Sequence, residues 1–203
     1  MRPPADLRDA AGVEFVPSSI VGPLNFSDMF SRNAPLEIDL GCGDGTFLVA
    51  SAARNPERNF LGIERLIGRV RVACRKTMRL DLENIRILRM ESSYAVTHLM
   101  RAESVAAFHL LFPDPWPKRR HHRRRLFTPQ FTGAVYRALE TGGLFHIATD
   151  HGNYFQAIQE MIPINLFSSL DAIEFPASGF EQKFTTRQTP IYRLVLRKIS
   201  PVR

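Results

Sequence analysis

Three glycines and one acid carry the first chemical signal in this chain. The run DLGCGDGTF sets Gly41, Gly43 and Gly45 at alternate positions directly after an apolar stretch, and Glu64 closes the next one, NFLGIE. Glycine permits positive φ and leaves backbone amides bare, so such a loop between a strand and a helix can cradle a nucleotide-like ligand. An acid at the end of the following strand can accept hydrogen bonds from both hydroxyls of an adenosine ribose. The dinucleotide pattern G-x-G-x-x-G/A is not met, because Thr46 stands three places after Gly43 and the third glycine comes one place early. The G-x-G-x-G spacing fits S-adenosyl-L-methionine better than a nicotinamide cofactor, with a plain structural turn as the bland alternative.

The second signal is FPDPWPKRRHHRRR, residues 112–125. Asp114 lies among Pro113, Pro115 and Pro117, whose fixed φ angles lower the entropy lost when the loop orders, which suits a loop that must hold one side chain steady. Trp116, the single tryptophan, offers a flat face whose expected role is packing. Behind it come Lys118, Arg119, Arg120, Arg123, Arg124 and Arg125. Without those six the chain has twenty-one cations against twenty acids, so the formal +7 reads as a local patch of the kind that attracts polyanions. His121 and His122 read as polar loop residues rather than metal ligands or bases.

The elements that must hold these residues follow from periodicity. From Leu36 onward, short apolar runs alternate with amphipathic ones. LEIDL, NFLGIE, IRILRM, VAAFHLLF and GLFHIAT read as strands, and helices are expected over Thr46 to Arg54, Ile67 to Leu80, Tyr94 to Arg101, Pro129 to Leu139 and Asn153 to Met161. Such alternation predicts an α/β fold: a Rossmann-like, doubly wound, mostly parallel sheet with helices on both faces. LDAIEF and IYRLVLRK then suggest a C-terminal antiparallel hairpin at the sheet edge. Function is expected at the carboxyl ends of the strands, where the loop after the fourth strand comes beside the glycine loop of the first. Residues 1–34 read as an irregular lead-in with a helical turn near Phe26 to Phe30, and residues 35–203 as one domain.

The bulk composition, 44% hydrophobic and 23% charged, belongs to a globular chain. MRPPADLRDAAG lacks the apolar segment of a signal peptide, and no apolar run approaches membrane-spanning length, so a cytoplasmic location without membrane attachment is expected. Cys42 and Cys74 have no metal-like spacing and read as neither disulfide nor zinc ligand; no metal is expected.

FPDPWPKRRHHRRR resembles the signature of the bacterial tRNA (guanine-N7-)-methyltransferase family. LNFSDMFSRNAPLEIDLGCGDGTFL, NFLGIE, GGLFHIATD, GFEQK and IYRLVLRK stand in that family's order with compatible spacing, so the resemblance covers most of the chain. It implies transfer of a methyl group from S-adenosyl-L-methionine to N7 of a guanine in tRNA, in the variable loop at position 46, with no obligatory protein partner. It also implies roles for residues. Asp39, Gly41, Gly43, Gly45, Glu64, Glu91 and Asp114 would bind the cofactor, and Asp114 would be catalytic. Lys118, Asp150, Ser178, Gly179, Phe180 and Glu181 would bind the substrate, and Arg120, His121, His122, Arg123, Arg124 and Arg125 would contact RNA. The chain departs from the family in having Asp rather than Glu at 39, Glu rather than Asp at 91, Ser rather than Thr at 178 and Gln rather than Gly at 188. On the residues alone, two other readings stay open: an amino-group methyltransferase of RNA or DNA, and an RNA-binding protein with a relict cofactor pocket.

Overall fold

A computed structural model describes residues 12–171, 175–178, 181 and 189–200. Eight strands form one sheet: β1 (Glu14–Phe15), β2 (Leu36–Leu40), β3 (Asn59–Ile63), β4 (Ile85–Leu88), β5 (Val105–Leu111), β6 (Leu139–Thr149), β7 (Phe167–Leu170) and β8 (Tyr192–Lys198). Their order across the sheet is β1-β4-β3-β2-β5-β6-β8-β7. Pairs from β1 to β6 run parallel, while β8 is antiparallel to both β6 and β7. This is the doubly wound sheet with an antiparallel C-terminal hairpin that the alternation predicts. The hairpin's first strand lies earlier than LDAIEF suggests: Phe167, its one buried residue, pairs with Lys198, and Leu170, which opens LDAIEF, ends the strand opposite Val195; residues 172–174 lie outside the described residues.

Helices cover both faces. On one side α1 (Thr46–Arg54) and α2 (Ile67–Arg79) bury Leu48, Val49, Val70, Ala73 and Cys74 against Phe60, Ile85 and Ile87. On the other, α4 (Pro129–Ala138) and α5 (Gly152–Glu160) join a short helix α3 (Ser92–Tyr94) and the five-residue π-turn Ala95–Leu99 over Ile38, Leu61, Phe108, Phe145 and Ile147. The helix expected over Tyr94 to Arg101 is thus short and mostly π-wound, and it begins at Ser92, where the Glu91 carboxylate accepts from the amides of Ser93 and Tyr94. Thr128 caps α4 and Pro129 occupies its first turn, the usual place for a proline in a helix.

The lead-in takes more part in the fold than its irregular sequence suggests. Glu14 and Phe15 extend the sheet beside β4, and Leu24, Met29 and Phe30 are buried in the core. The expected helical turn is a 3-10 helix, Phe26–Asp28. The Leu24 amide donates to the Leu99 carbonyl at 2.9 Å, and the Tyr94 hydroxyl donates to the Ile20 carbonyl at 3.0 Å, tying the segment to the π-turn.

Candidate active site

Sequence order reverses between β2 and β5, which pair directly, so the loops leaving their carboxyl ends must lie side by side. A cavity of about 560 Å³ opens there. Gly41, Glu64, Arg65, Arg69, Glu91, Asp114, Trp116 and Arg124 stand among the residues that line it. The loops after β3, β4 and β5 thereby bring three acids, Glu64, Glu91 and Asp114, to one hollow beside the glycine loop.

The glycines divide their labour. Gly41 and Gly43 have φ of +78° and +58°, and a Cβ at Gly41 would meet nothing within 4 Å. Their backbone therefore faces open space that a ligand can approach. Gly45 begins α1 with φ +75°, and a Cβ there would come within 2.8 Å of the Ala73 Cβ on α2. Its smallness serves helix packing as well as the turn. Glu64 is buried, and its carboxylate holds the loop from beneath: Oε2 accepts from the Gly43 amide at 3.2 Å and Oε1 from the Leu66 amide at 2.8 Å, with the Arg69 guanidinium at 3.8 Å. A carboxylate offers about four lone-pair sites, so these two amides leave acceptor capacity for ribose hydroxyls.

Asp39 is buried at the end of β2, behind the glycine loop rather than on the cavity surface. Burial, with repulsion from the Glu64 carboxylate, pushes its carboxyl up to about 8. At neutral pH Asp39 therefore holds a proton. The same burial, reinforced by Asp39 and Glu64, keeps the Cys42 thiol well above its ordinary range, so both Cys42 and Cys74 remain buried, free thiols.

Asp114 is held by strain as well as by proline. Phe112 and Trp116, on either side of it, both adopt positive φ, +53° and +43°, which bulky residues rarely do. The Phe112 amide donates to the Ala148 carbonyl at 2.7 Å, fixing the loop's entry to β6. Its exit is fixed by cations: the Arg125 Nε donates to the Pro115 carbonyl at 2.8 Å while the guanidinium lies 4.5 Å over the buried Tyr154 ring, and Arg124 lies 5.0 Å over Trp116. Tyr154 was not visible as part of the site in sequence; its hydroxyl accepts from the Phe127 amide at 3.4 Å. Trp116 packs edge-on against His121, so its expected packing role is met within the loop.

Lys118 precedes a 3-10 helix, Arg119–Arg124, on which Arg120, Arg123 and Arg124 are exposed to solvent along with His122. Asp150 follows the end of β6, next to the exit of β5. Ser178 and Glu181 form a reciprocal pair. The Glu181 amide donates to Ser178 Oγ at 3.1 Å, and the Ser178 amide to Glu181 Oε2 at 3.3 Å; Arg193 of β8 pairs with the other Glu181 oxygen. The S-x-x-E spacing encodes this reciprocal bonding directly. Gly179, Phe180 and Gln188 lie outside the described residues.

Under this region runs a polar seam that sequence reasoning missed. Glu37, His109 and His146 occupy neighbouring inward positions of β2, β5 and β6. Glu37 Oε2 lies 2.9 Å from His109 Nε2, whose other ring nitrogen lies 3.4 Å from His146 Nδ1, and Phe175 stacks on His146 at 4.0 Å. Burial alone would raise the Glu37 carboxyl, but the His109 hydrogen bond and charge, with Arg58, leave it below its ordinary value. Burial, then His109 and Arg193, drives His146 far below the ordinary histidine range, so it stays neutral. The available signal was a histidine in the middle of each of two otherwise apolar strands.

Among the described residues no cluster of histidine, cysteine, aspartate or glutamate could hold a metal ion, and no helix is long and apolar enough to cross a membrane. Comparison with known proteins gives a family. A family model described as "Putative methyltransferase" matches residues 33–194. A tRNA (guanine-N(7)-)-methyltransferase of Alkalilimnicola ehrlichii is 32% identical over 197 residues, covering 93% of this chain and 82% of the relative. The protein of the same name from Nocardia farcinica is 40% identical over 136 residues, which is 67% of this chain and 51% of that one. Among solved structures, the 16S rRNA methyltransferase KamB superposes with a TM-score of 0.61 at 16% identity, over 87% of this chain and 93% of that one, a likeness of fold.

Proposed function

Since the chain belongs to the tRNA (guanine-N(7)-)-methyltransferase family, we propose that it methylates N7 of a guanine in the variable loop of tRNA, using S-adenosyl-L-methionine and the cavity between β2 and β5. The observation that carries this reading is the convergence in one hollow of Gly41, Glu64, Glu91 and Asp114, with Arg124 on its rim. The residues present fit the cofactor: the open backbone at Gly41 and Gly43 leaves room for its amino-acid and sulfur portion, and Glu64 for its ribose. Glu91 lines the same cavity, its carboxylate held by the Ser93 and Tyr94 amides, and would stand near the adenine. When bound, S-adenosyl-L-methionine supplies the methyl group and takes the sulfur lone pair back as the C–S bond breaks.

Guanine N7 brings a lone pair and no proton, so no side chain need act as a strong base. Alignment and electrostatics can then carry the rate. The new N–C bond leaves the purine cationic, and Asp114, which lines the cavity between two strained residues, would stabilise that growing charge. On the base edge, Asp150 and Glu181 would accept from guanine N1 and N2, and Lys118 would donate to O6. Glu181 would do so from a carboxylate already held by Ser178 and Arg193, which fixes its direction at the cost of acceptor capacity. The exposed arginines of the 3-10 helix would grip phosphates without reading sequence.

The test is methyl transfer from labelled cofactor to unmodified tRNA, followed by mass analysis of the nucleosides. N7-methylguanosine is the expected product. Methyl on adenine N6 would establish an amino-group enzyme instead, and binding of tRNA without any transfer would establish an RNA-binding protein.

A further inference from the structure

The positive charge of this chain is not confined to the proline-rich loop. Residues 65–79 hold Arg65, Arg69, Arg71, Arg75, Lys76 and Arg79 with no acid among them. Setting aside this stretch and residues 118–125 leaves fifteen cations against twenty acids, a net negative remainder. The molecule therefore carries two cationic tracts of six on an otherwise acidic body, and the second is nearly all helix α2.

Its apolar side is buried and its cationic side faces solvent. At 100° per residue, Val70, Ala73, Cys74 and Thr77 fall on one side of α2 and are buried, while Arg71, Arg75 and Arg79 fall on the opposite side and are exposed. The three arginines succeed one another at i, i+4 and i+8, a row about 12 Å long with steps of about 5–6 Å. Among the described residues none of the three makes a hydrogen bond or an ion pair, whereas Arg69 reaches Glu64 and Lys76 reaches Asp44 and Thr46. Like charges so spaced weaken a helix by a few tenths of a kcal/mol per pair, and among the described residues no acid pairs with the row to offset this; only Arg79, in the last turn, is favoured by the helix dipole.

The row also leads somewhere. Arg65 and Arg69, where α2 begins, line the same cavity as Arg124 of the 3-10 helix, so the two cationic tracts meet at its mouth from different sides. We propose that the outer face of α2, through Arg71, Arg75 and Arg79, is a second phosphate-binding surface for the RNA, so that the substrate's backbone runs across the cavity mouth and is gripped beyond it. The inference rests on the proposed RNA substrate for its partner, and on the charge and spacing of α2 for its location.

The experiment compares the wild type with the triple variant Arg71→Ala, Arg75→Ala, Arg79→Ala and with the corresponding triple lysine variant. The readouts are the dissociation constant for unmodified tRNA between 50 and 200 mM salt, cofactor affinity by calorimetry, and turnover at saturating tRNA. Each phosphate contact contributes about 0.9 to the slope of log affinity against log salt, or about 3.5-fold across that range, so losing three should narrow the wild type's advantage about 40-fold between the two ends. Alanine favours the helix, so cofactor affinity and saturated turnover are expected to hold, and the lysine variant to keep the wild-type slope. An alanine variant with the wild-type slope and affinity would overturn the proposal while leaving the methyl-transfer reading intact. A slope lowered by the alanines in a protein that transfers no methyl group would uphold this surface and overturn the other reading. Loss of cofactor affinity in the lysine variant as well would assign the row to the cavity's architecture and overturn it as an RNA surface.

Discussion

Asp39→Asn keeps the shape of a buried side chain and removes its proton chemistry. In the folded wild type this carboxyl titrates near 8, against 3.8 when unperturbed. Between those values the folded chain holds a proton that the unfolded chain has released, so stability falls as pH rises, the reverse of a salt-bridged acid. The slope is that of one proton, about 1.4 kcal/mol per pH unit, and across the whole window it reaches roughly 6 kcal/mol. Asparagine has no such proton, so between pH 5 and 7 the variant should gain on the wild type by about 1.4 kcal/mol for each pH unit. Urea unfolding without cofactor, at three pH values, measures the difference while groups common to both proteins cancel. Cofactor binding should show the opposite face of the same effect. Although Asp39 lies behind the loop, a cationic cofactor bound in the cavity beyond it would favour the ionised form through space, so wild-type affinity should rise with pH up to about 8 with release of a proton, and the variant's should not. Parallel stability curves together with no proton release in calorimetry would refute the assignment of a protonated Asp39 behind the loop.

Asp114→Asn should lower turnover on tRNA by about 10²-fold while leaving its tRNA affinity within about twofold, as removal of one preorganised electrostatic group does; unchanged turnover would end its catalytic role. Gly45→Ala meets both a left-handed φ and the Ala73 side chain, and should cost about 2–4 kcal/mol in denaturant unfolding, against about 1–2 kcal/mol for Gly41→Ala, where the space is open. Arg125→Lys loses the hydrogen bond to Pro115 and the stacked plane over Tyr154, and should reduce turnover several-fold without changing the salt slope of tRNA binding; Arg123→Lys should leave both alone, and a matching loss there would mean the two arginines share one task.

Much of the frame was legible because it depends on local periodicity. Thr46 to Arg54 as a helix and Leu36 to Leu40 as a strand coincide with the structure, since an amphipathic or apolar run needs only its own residues to declare itself. The juxtaposition of the glycine loop with Asp114 was legible too, because the topology of alternating units leaves few ways to order the strands. What was hidden is what depends on tertiary neighbours. The pairing of Glu14 and Phe15 with β4 is a two-residue event with no periodicity of its own. The π-turn at Ala95–Leu99 takes its form from Arg137, which donates to the carbonyls of Val96, Thr97 and Met100 from forty residues away. Glu37, His109 and His146 each looked like an isolated exception within a strand, and only register reveals them as one seam.

The cationic loop shows why charge counting alone misassigns arginines. Six cations between 118 and 125 suggest six phosphate contacts, yet Arg125 faces inward to a carbonyl and an aromatic ring, and Arg124 covers Trp116. Those two stabilise a loop whose backbone is strained at Phe112 and Trp116, and a strained loop persists only when its surroundings over-determine it. The strain and the bracing are therefore one device: the braces hold Asp114 at the cavity, and Arg125 at least is withdrawn from the phosphate contacts the sequence implies, while Arg124 braces from an exposed position. On α2 the reverse holds, since Arg71, Arg75 and Arg79 brace nothing. A helix that packs its inner face and leaves a row of like charges outside gains little from that row beyond the dipole contact of Arg79 in its last turn, which is why the proposed use of the row is a partner whose charge is negative and whose repeat is regular.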